Sequence, residues 1–244
     1  MDNEVKIITL KFKNRIGSNE VKWFRGAIIK NINKDNILFH NHTPDNYRYS
    51  YPLIQYKRIS GCAAIVCIGK GTEAIGDLFA NYKDRLLIGN RCVNMEIDFM
   101  KPSIFTIKEQ KEMNQYYIKR WIPLNSKNYI IYNEIKGLAE KIEFLERILI
   151  GNILSFTKGL NIYIDDKVKC KITDIDNSYT ITNKGIKMTA FDMKFVCNIS
   201  IPDNIGLGKN ASIDCGVVSK VTNCYHCSTG LTRNILTKTM PFRT

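Results

Sequence analysis

The chain has 244 residues, 44% of them hydrophobic and 24% charged, which excludes global disorder and leaves room for one large domain or two smaller ones. Its 36 Lys and Arg against 23 Asp and Glu give a formal net charge of +13, a field that favours a polyanionic partner. No apolar run approaches the roughly 20 residues needed to cross a bilayer, and the opening MDNEVKIITLKFK is strand-like rather than a signal peptide, so a soluble, cytoplasmic protein with no membrane partner is expected.

Residues 4–13 alternate like a strand. Residues 19–32 place Phe24, Ala27, Ile28 and Ile32 at helical spacing, with Ser18 as the predicted N-cap. The segment FHNHTPDNYRYSYPLIQYKR, residues 39–58, follows and ends in extended character. CAAIVCI reads as a short buried strand, and Thr72 as the cap of a helix with Ile75, Leu78, Phe79 and Tyr82 on one face. RLLIGNRCVNMEIDFM reads as one or two strands. The order β-α-β-β-α-β is the ferredoxin-like arrangement that RNA-recognition domains also use.

A break is predicted at Lys101-Pro102-Ser103, dividing the chain into residues 1–103 and 104–223. The second unit is predicted to open with a strand at IFTIKEQ and to continue extended at NQYYIKRWIPL. One long helix over residues 128–153 is predicted from Ile135, Leu138, Ile142, Leu145 and Leu149 at three- and four-residue steps. Strands are predicted at LNIYID, KVKCKITDI and SYTITN, with a longer one at GIKMTAFDMKFVCNISIP. The fold class is therefore α+β, two tandem ferredoxin-like, RRM-like domains forming a basic cleft able to hold an RNA strand. Residues 224–244 show no periodicity and read as a flexible tail, in which Cys224, His226 and Cys227 do not complete a zinc site. Most of the eight cysteines lie in apolar strand-like runs, as small buried hydrophobes of a reducing compartment.

Two features carry chemistry. The first is the pair His40 and His42, two of the chain's three histidines, followed by Tyr47, Tyr49, Tyr51 and Tyr56 with Arg48, Lys57 and Arg58 among them. The second is DNIGLGKNASIDCGVV, where Gly206, Gly208 and Gly216 bracket Lys209, Asn210 and Ser212. Glycines let a backbone approach phosphates, Lys209 adds charge, and Asn210 and Ser212 add hydrogen-bond donors. The spacing is not that of a nucleotide-triphosphate loop. The alternative is a glycine-rich turn between two strands.

A late glycine loop before a final strand, on two ferredoxin-like units, resembles the repeat-associated RNA-binding (RAMP) superfamily of CRISPR systems. WFRGAI, LFHNH, YRYSYPLIQYK and GCAAIVCIGKGTEAI resemble the b-type branch of the CRISPR repeat-processing endoribonucleases, over about residues 1–222. At the loop's end, Asp214 stands where the superfamily usually has glycine. The resemblance implies metal-independent cleavage of precursor CRISPR RNA within repeats, with no cofactor. The 2′-hydroxyl attacks the adjacent phosphate and leaves 2′,3′-cyclic phosphate and 5′-hydroxyl ends. The alternative is a non-catalytic RNA-binding subunit of an effector complex. One copy or a homodimer can engage each RNA.

That reaction needs a base, an acid and a donor for the extra phosphoryl charge. Imidazole serves as acid or base near neutral pH, and a tyrosine hydroxyl suits an acid. His40 is preferred as the primary imidazole, with His42 as partner and Tyr47 as proton carrier or oxygen donor. In an extended loop the two histidines point to opposite faces; a turn at Thr43-Pro44-Asp45-Asn46 makes them converge with Tyr47. A metal pair with Asp45 and a purely structural or stacking role are the rivals. Tyr49, Tyr51 and Tyr56 read as core or cross-strand residues. Arg48 and Lys57 read as phosphate contacts, and Arg25 and Lys30 as lining the same groove.

Overall fold

A computed structural model describes residues 3–31, 42–43, 46–47, 51–81, 84–164, 167–183 and 185–221. The first half contains β1 (Glu4–Arg15), α1 (Val21–Lys30), β2 (His42–Thr43), β3 (Asn46–Tyr47), β4 (Ile54–Ile59) and β5 (Cys62–Ile68). A 3-10 helix, Gly69–Ala74, then runs into α2 (Ile75–Ala80), followed by β6 (Arg85–Ile88), β7 (Arg91–Asn94) and β8 (Ile97–Thr106). The second half contains β9 (Glu109–Trp121), α3 (Ser126–Glu134), α4 (Leu138–Gly159), β10 (Cys170–Asn183), β11 (Ile186–Ile199) and β12 (Val217–Lys220). None of the described helices is long and apolar enough to cross a membrane.

The first sheet has the antiparallel order β4-β5-β1-β8 and the second the order β10-β11-β9-β12. Counting each unit's own four main strands, both read 2-3-1-4, the ferredoxin-like order. In the second unit the helix expected between the last two strands is replaced by the glycine loop, residues 200–216. The tail and the positions of Ile32 and Tyr82 lie outside the described residues.

One face of the first sheet carries α1 and α2. Leu10, Phe12, Ile65 and Cys67 pack there against Phe24, Ala27, Ile28 and Leu78. On the other face Val5, Ile7, Val66 and Ile68 join the core of the second unit, with Leu149, Ile153 and Phe156 of α4 and Tyr116, Ile118 and Phe195 of its sheet. β5 is therefore covered on both sides, which is why CAAIVCI is apolar without alternation.

Several local expectations are corrected. Ser18 does not cap α1; Glu20 closes that end, accepting the Gly17 N–H at 2.6 Å and pairing with Arg91 of β7 at 2.6 Å. Thr72 does not cap α2, because its hydroxyl donates to Gly69 O within the 3-10 turn. Lys101-Pro102-Ser103 does not break the chain: the three residues sit inside β8, opposite Thr9, Ile8 and Ile7 of β1. Pro102 is tolerated because β8 is an edge strand. IFTIKEQ thus splits, its first residues closing the first sheet and Glu109 opening the second.

The single long helix is two. Asn125 caps α3 through its side chain, which accepts the Asn128 N–H at 2.8 Å. Ile135 and Gly137 are extended and separate α3 from α4. The buried stripe of α4 is Leu145, Leu149, Ile153 and Phe156, whereas Leu138 is 72% exposed. LNIYID is not a strand among the described residues. Asn161, at φ +58, ends α4 in a left-handed turn and the Ile162 N–H returns to Thr157 O at 2.9 Å. KVKCKITDI and SYTITN merge into one continuous β10.

Candidate functional site

The YPLIQYKR segment and the glycine loop belong together. β4 is the free edge of the first sheet, and the loop covers it through a parallel bridge between Tyr56 and Ile213, with Tyr56 N–H donating to Ser212 O at 2.8 Å. Tyr51 OH donates to Gly206 O at 2.8 Å, and Gln55 Oε1 accepts the Gly206 N–H at 2.8 Å. Gln55 Nε2 in turn donates to Tyr51 OH at 2.8 Å. Arg58 N–H donates to Asp214 Oδ1 at 3.0 Å. Tyr51 and Tyr56 are buried, as expected of core residues.

Lys57 is a correction. Its side chain is fully buried, and its ammonium donates to Ala211 O at 2.8 Å, so it is no surface phosphate contact. Burial pushes its pKa down to about 8, against the pull of Asp214 and Cys215. Two of the loop glycines are likewise structural. The Gly206 and Gly216 N–H groups are spent on Gln55 Oε1 and Arg120 O. A Cβ at Gly216, whose φ is +60, would sit 1.8 Å from Leu207 O. Gly208 is half-buried against Trp121 and Asn152. Of the three polar residues expected to contact RNA, Lys209 is exposed and Asn210 and Ser212 are half-buried, so all three are open to solvent.

Asp214 adopts φ +60, a left-handed conformation that explains why glycine suits this position. Its carboxyl does not point into open solvent. It is 7% exposed, holds Arg58 N–H, and is raised in pKa by burial, which the Arg58 hydrogen bond and the Lys57, Arg120 and Arg58 charges oppose.

The histidine segment is described only in part. Among its described residues β2 and β3 pair antiparallel, Thr43 opposite Asn46 and His42 opposite Tyr47. His40, Arg48 and Tyr49 lie outside the described residues. The segment follows α1, on which Arg25 is half-buried and Lys30 exposed. Arg25 lies close enough to Tyr56 for its charge to oppose the burial-driven rise of that hydroxyl.

A cavity of about 620 Å³ opens at the seam between the sheets, lined by Arg58, Lys119, Arg120, Tyr117, Tyr179 and Asp214 among others. Sequence reasoning passed over Lys119 and Arg120 and gave Arg58 no role. The available signal was a repeated Lys-Arg step, Lys57-Arg58 and Lys119-Arg120, near the end of one strand in each unit. A second groove, of about 590 Å³, runs between α1 and the β6–β7 turn, with Lys22, Trp23, Lys30 and Arg91 along it.

Two family models cover nearly the whole described chain: the Cas6b N-terminal domain over residues 3–110 and the Cas6b C-terminal domain over residues 108–221. An uncharacterized protein of Methanocaldococcus jannaschii is 33% identical over 150 residues, 60% of this chain and 99% of that protein. A crystal structure of Cas6b superposes with TM-score 0.79 at 28% identity, covering 89% of this chain and 100% of the other. A second crystal structure, of the CRISPR RNA processing endoribonuclease Cas6b, gives TM-score 0.69 at 26% identity over the same shares, 89% and 100%.

Proposed function

Because the chain belongs to the Cas6b family, we propose that it is an endoribonuclease that cuts precursor CRISPR RNA within its repeats, without a metal, by attack of a 2′-hydroxyl on the adjacent phosphate. The observation that carries this reading is the family match across both units. The formal charge of +13 and the cationic seam cavity support a polyanionic substrate.

His40 takes the role of primary imidazole, His42 that of its partner, and Tyr47 that of proton carrier or oxygen donor. The backbone pairing of His42 with Tyr47 supports a shared site for these two. One imidazole removes the 2′-OH proton as the oxygen attacks phosphorus. A protonated group then delivers a proton to the departing 5′-oxygen, leaving a 2′,3′-cyclic phosphate and a 5′-hydroxyl. Each such proton transfer contributes about 10²–10⁴-fold. Lys30, at the exposed C-terminal turn of α1, the half-buried Arg25 on the same helix, and Lys209, Asn210 and Ser212 of the loop supply contacts to the strand.

The test is incubation with repeat RNA in excess chelator, beside the same RNA carrying a single 2′-deoxy residue at the cut. Cleavage of the first to cyclic-phosphate ends, with the second intact, is expected. Binding without cleavage would instead identify an RNA-binding subunit, and cleavage of the deoxy strand would rule out 2′-hydroxyl attack.

A further inference from the structure

We propose that Arg58 and Arg120 together hold one phosphodiester of a single-stranded RNA across the seam between the two sheets. This rests on the reading of the seam as an RNA-binding face, and it assigns the face a particular seat. Arg58 comes from β4 of the first unit and Arg120 from β9 of the second, and both line the 620 Å³ cavity. The Nε atom of each guanidinium is buried and has no hydrogen-bond partner among the described residues. These Nε atoms are closed to solvent, so a ligand can meet each guanidinium only through its Nη groups.

Asp214 feels the charge of both arginines, but neither neighbouring carboxylate is spent on their guanidinium groups. Asp214 Oδ1 accepts the backbone N–H of Arg58, and Asp192 Oδ1 accepts the backbone N–H of Arg120 at 2.7 Å and the Tyr179 hydroxyl at 3.1 Å. Neither arginine forms an ion pair among the described residues. The Nη groups of each guanidinium can donate to a phosphate oxygen. A phosphodiester offers two non-bridging oxygens, one for each arginine, and Lys119 adds charge at the rim, where it is exposed.

Position and chemistry decide what the seat does. Ser18, just before α1, also lines the cavity, while the histidine segment follows the other end of that helix. An arginine side chain stays protonated at neutral pH, so it can hold a phosphate but does not carry its proton. The seat anchors the strand and takes no part in proton transfer. Because its two halves come from different units, it forms only when they are docked.

The experiment measures binding of a short, fluorescein-labelled, 2′-fluoro single-stranded RNA of mixed sequence, which cannot be cleaved by 2′-hydroxyl attack, so it does not depend on whether the protein is a nuclease. Arg58→Gln with Arg120→Gln is expected to weaken binding about tenfold and to reduce the slope of log affinity against log salt by about 0.7, one single-strand phosphate. Each single variant should cost nearly as much as the pair. Arg58→Lys with Arg120→Lys keeps the charges but loses the planar guanidinium donors; it should retain the slope and lose several-fold in affinity. A slope change near 1.4 would mean two separate phosphates and overturn the shared seat, and so would unchanged affinity in the Gln pair. If the Gln pair does not fold, a walk of uncharged methylphosphonate linkages through the RNA decides the matter on the folded Lys pair. At one linkage the penalty should be several-fold smaller there than in wild type, matching the affinity the lysines have already lost, and equal penalties at every linkage in both proteins would refute the seat.

Discussion

Lys57 illustrates how a residue's neighbours change its meaning. In sequence it sits among tyrosines and arginines and reads as a phosphate ligand; in the fold it is fully buried and donates to Ala211 O. With its pKa lowered from 10.5 to about 8, the unfolded chain binds the proton more readily, so stability rises as pH climbs through that window. The cost of burying the charge, about 3 kcal/mol, is therefore felt fully below the folded pKa and is gone above the unfolded one. Urea unfolding across pH should show wild type gaining up to about 3 kcal/mol on Lys57→Met between about pH 7 and pH 11. Parallel pH curves would mean that the ammonium keeps its water. The histidines make a prediction of another kind. His40→Ala with His42→Ala should reduce single-turnover cleavage by about 10²–10⁴-fold or more while RNA binding stays within about tenfold. Equal loss of binding and cleavage would move the pair to a structural role. The rarity of histidine made these two legible as candidates. The burial of Lys57 was not legible, because alternation along one strand cannot reveal that a loop more than 150 residues away covers its edge.

At the scale of elements, periodicity recovered the strands and helices that pack by their own pattern and missed those whose ends depend on contacts elsewhere. α1 was legible from Phe24, Ala27 and Ile28 because a helix with one buried stripe declares it. The break between α3 and α4 was not, since Ile135 continues the apolar rhythm while its backbone is extended. The Lys-Pro-Ser step looked like a domain boundary because proline interrupts central strands, but β8 has a free edge. The glycine loop was legible as a feature and misread in part, because its glycines serve close packing as much as exposure. Two substitutions separate these uses. Gly216→Ala puts a Cβ against Leu207 O in a left-handed residue and should cost several kcal/mol or prevent folding. Gly26→Ala in α1 meets nothing within 4 Å and should stabilise by about 0.5–1 kcal/mol. Thermal melting of the two variants beside wild type gives both signs. A tolerated alanine at Gly216 would mean that the loop is not clasped as described.

The two four-stranded sheets do not enclose two independent interiors. Val5, Ile7, Val66 and Ile68 of the first sheet lie in one cluster with Leu149, Ile153 and Phe156 of α4 and with Tyr116 and Phe195 of the second sheet. The Tyr51–Gln55–Gly206 hydrogen bonds and the Tyr56–Ile213 bridge tie the same seam. Separating the units would expose the non-helical face of the first sheet and leave the buried polar groups of Gln55 and Lys57 without their partners on the loop. Cooperative unfolding follows, in contrast to the usual looseness of small domains joined in tandem. Trp121 is fully buried in the second unit, whereas Trp23 is 44% exposed on α1 of the first. In a Trp23→Phe variant, fluorescence thus reports the second unit alone, while far-ultraviolet circular dichroism reports both. The two urea transitions should coincide in midpoint and steepness. Gln55→Leu, which leaves Gly206 N–H and Tyr51 OH short of a partner, should lower both midpoints together by an amount corresponding to about 1–3 kcal/mol. If the dichroism transition instead splits, with one step leaving the Trp121 signal untouched, the seam is an ordinary contact between domains. The glycine loop would then be a lid on β4 rather than part of a common core.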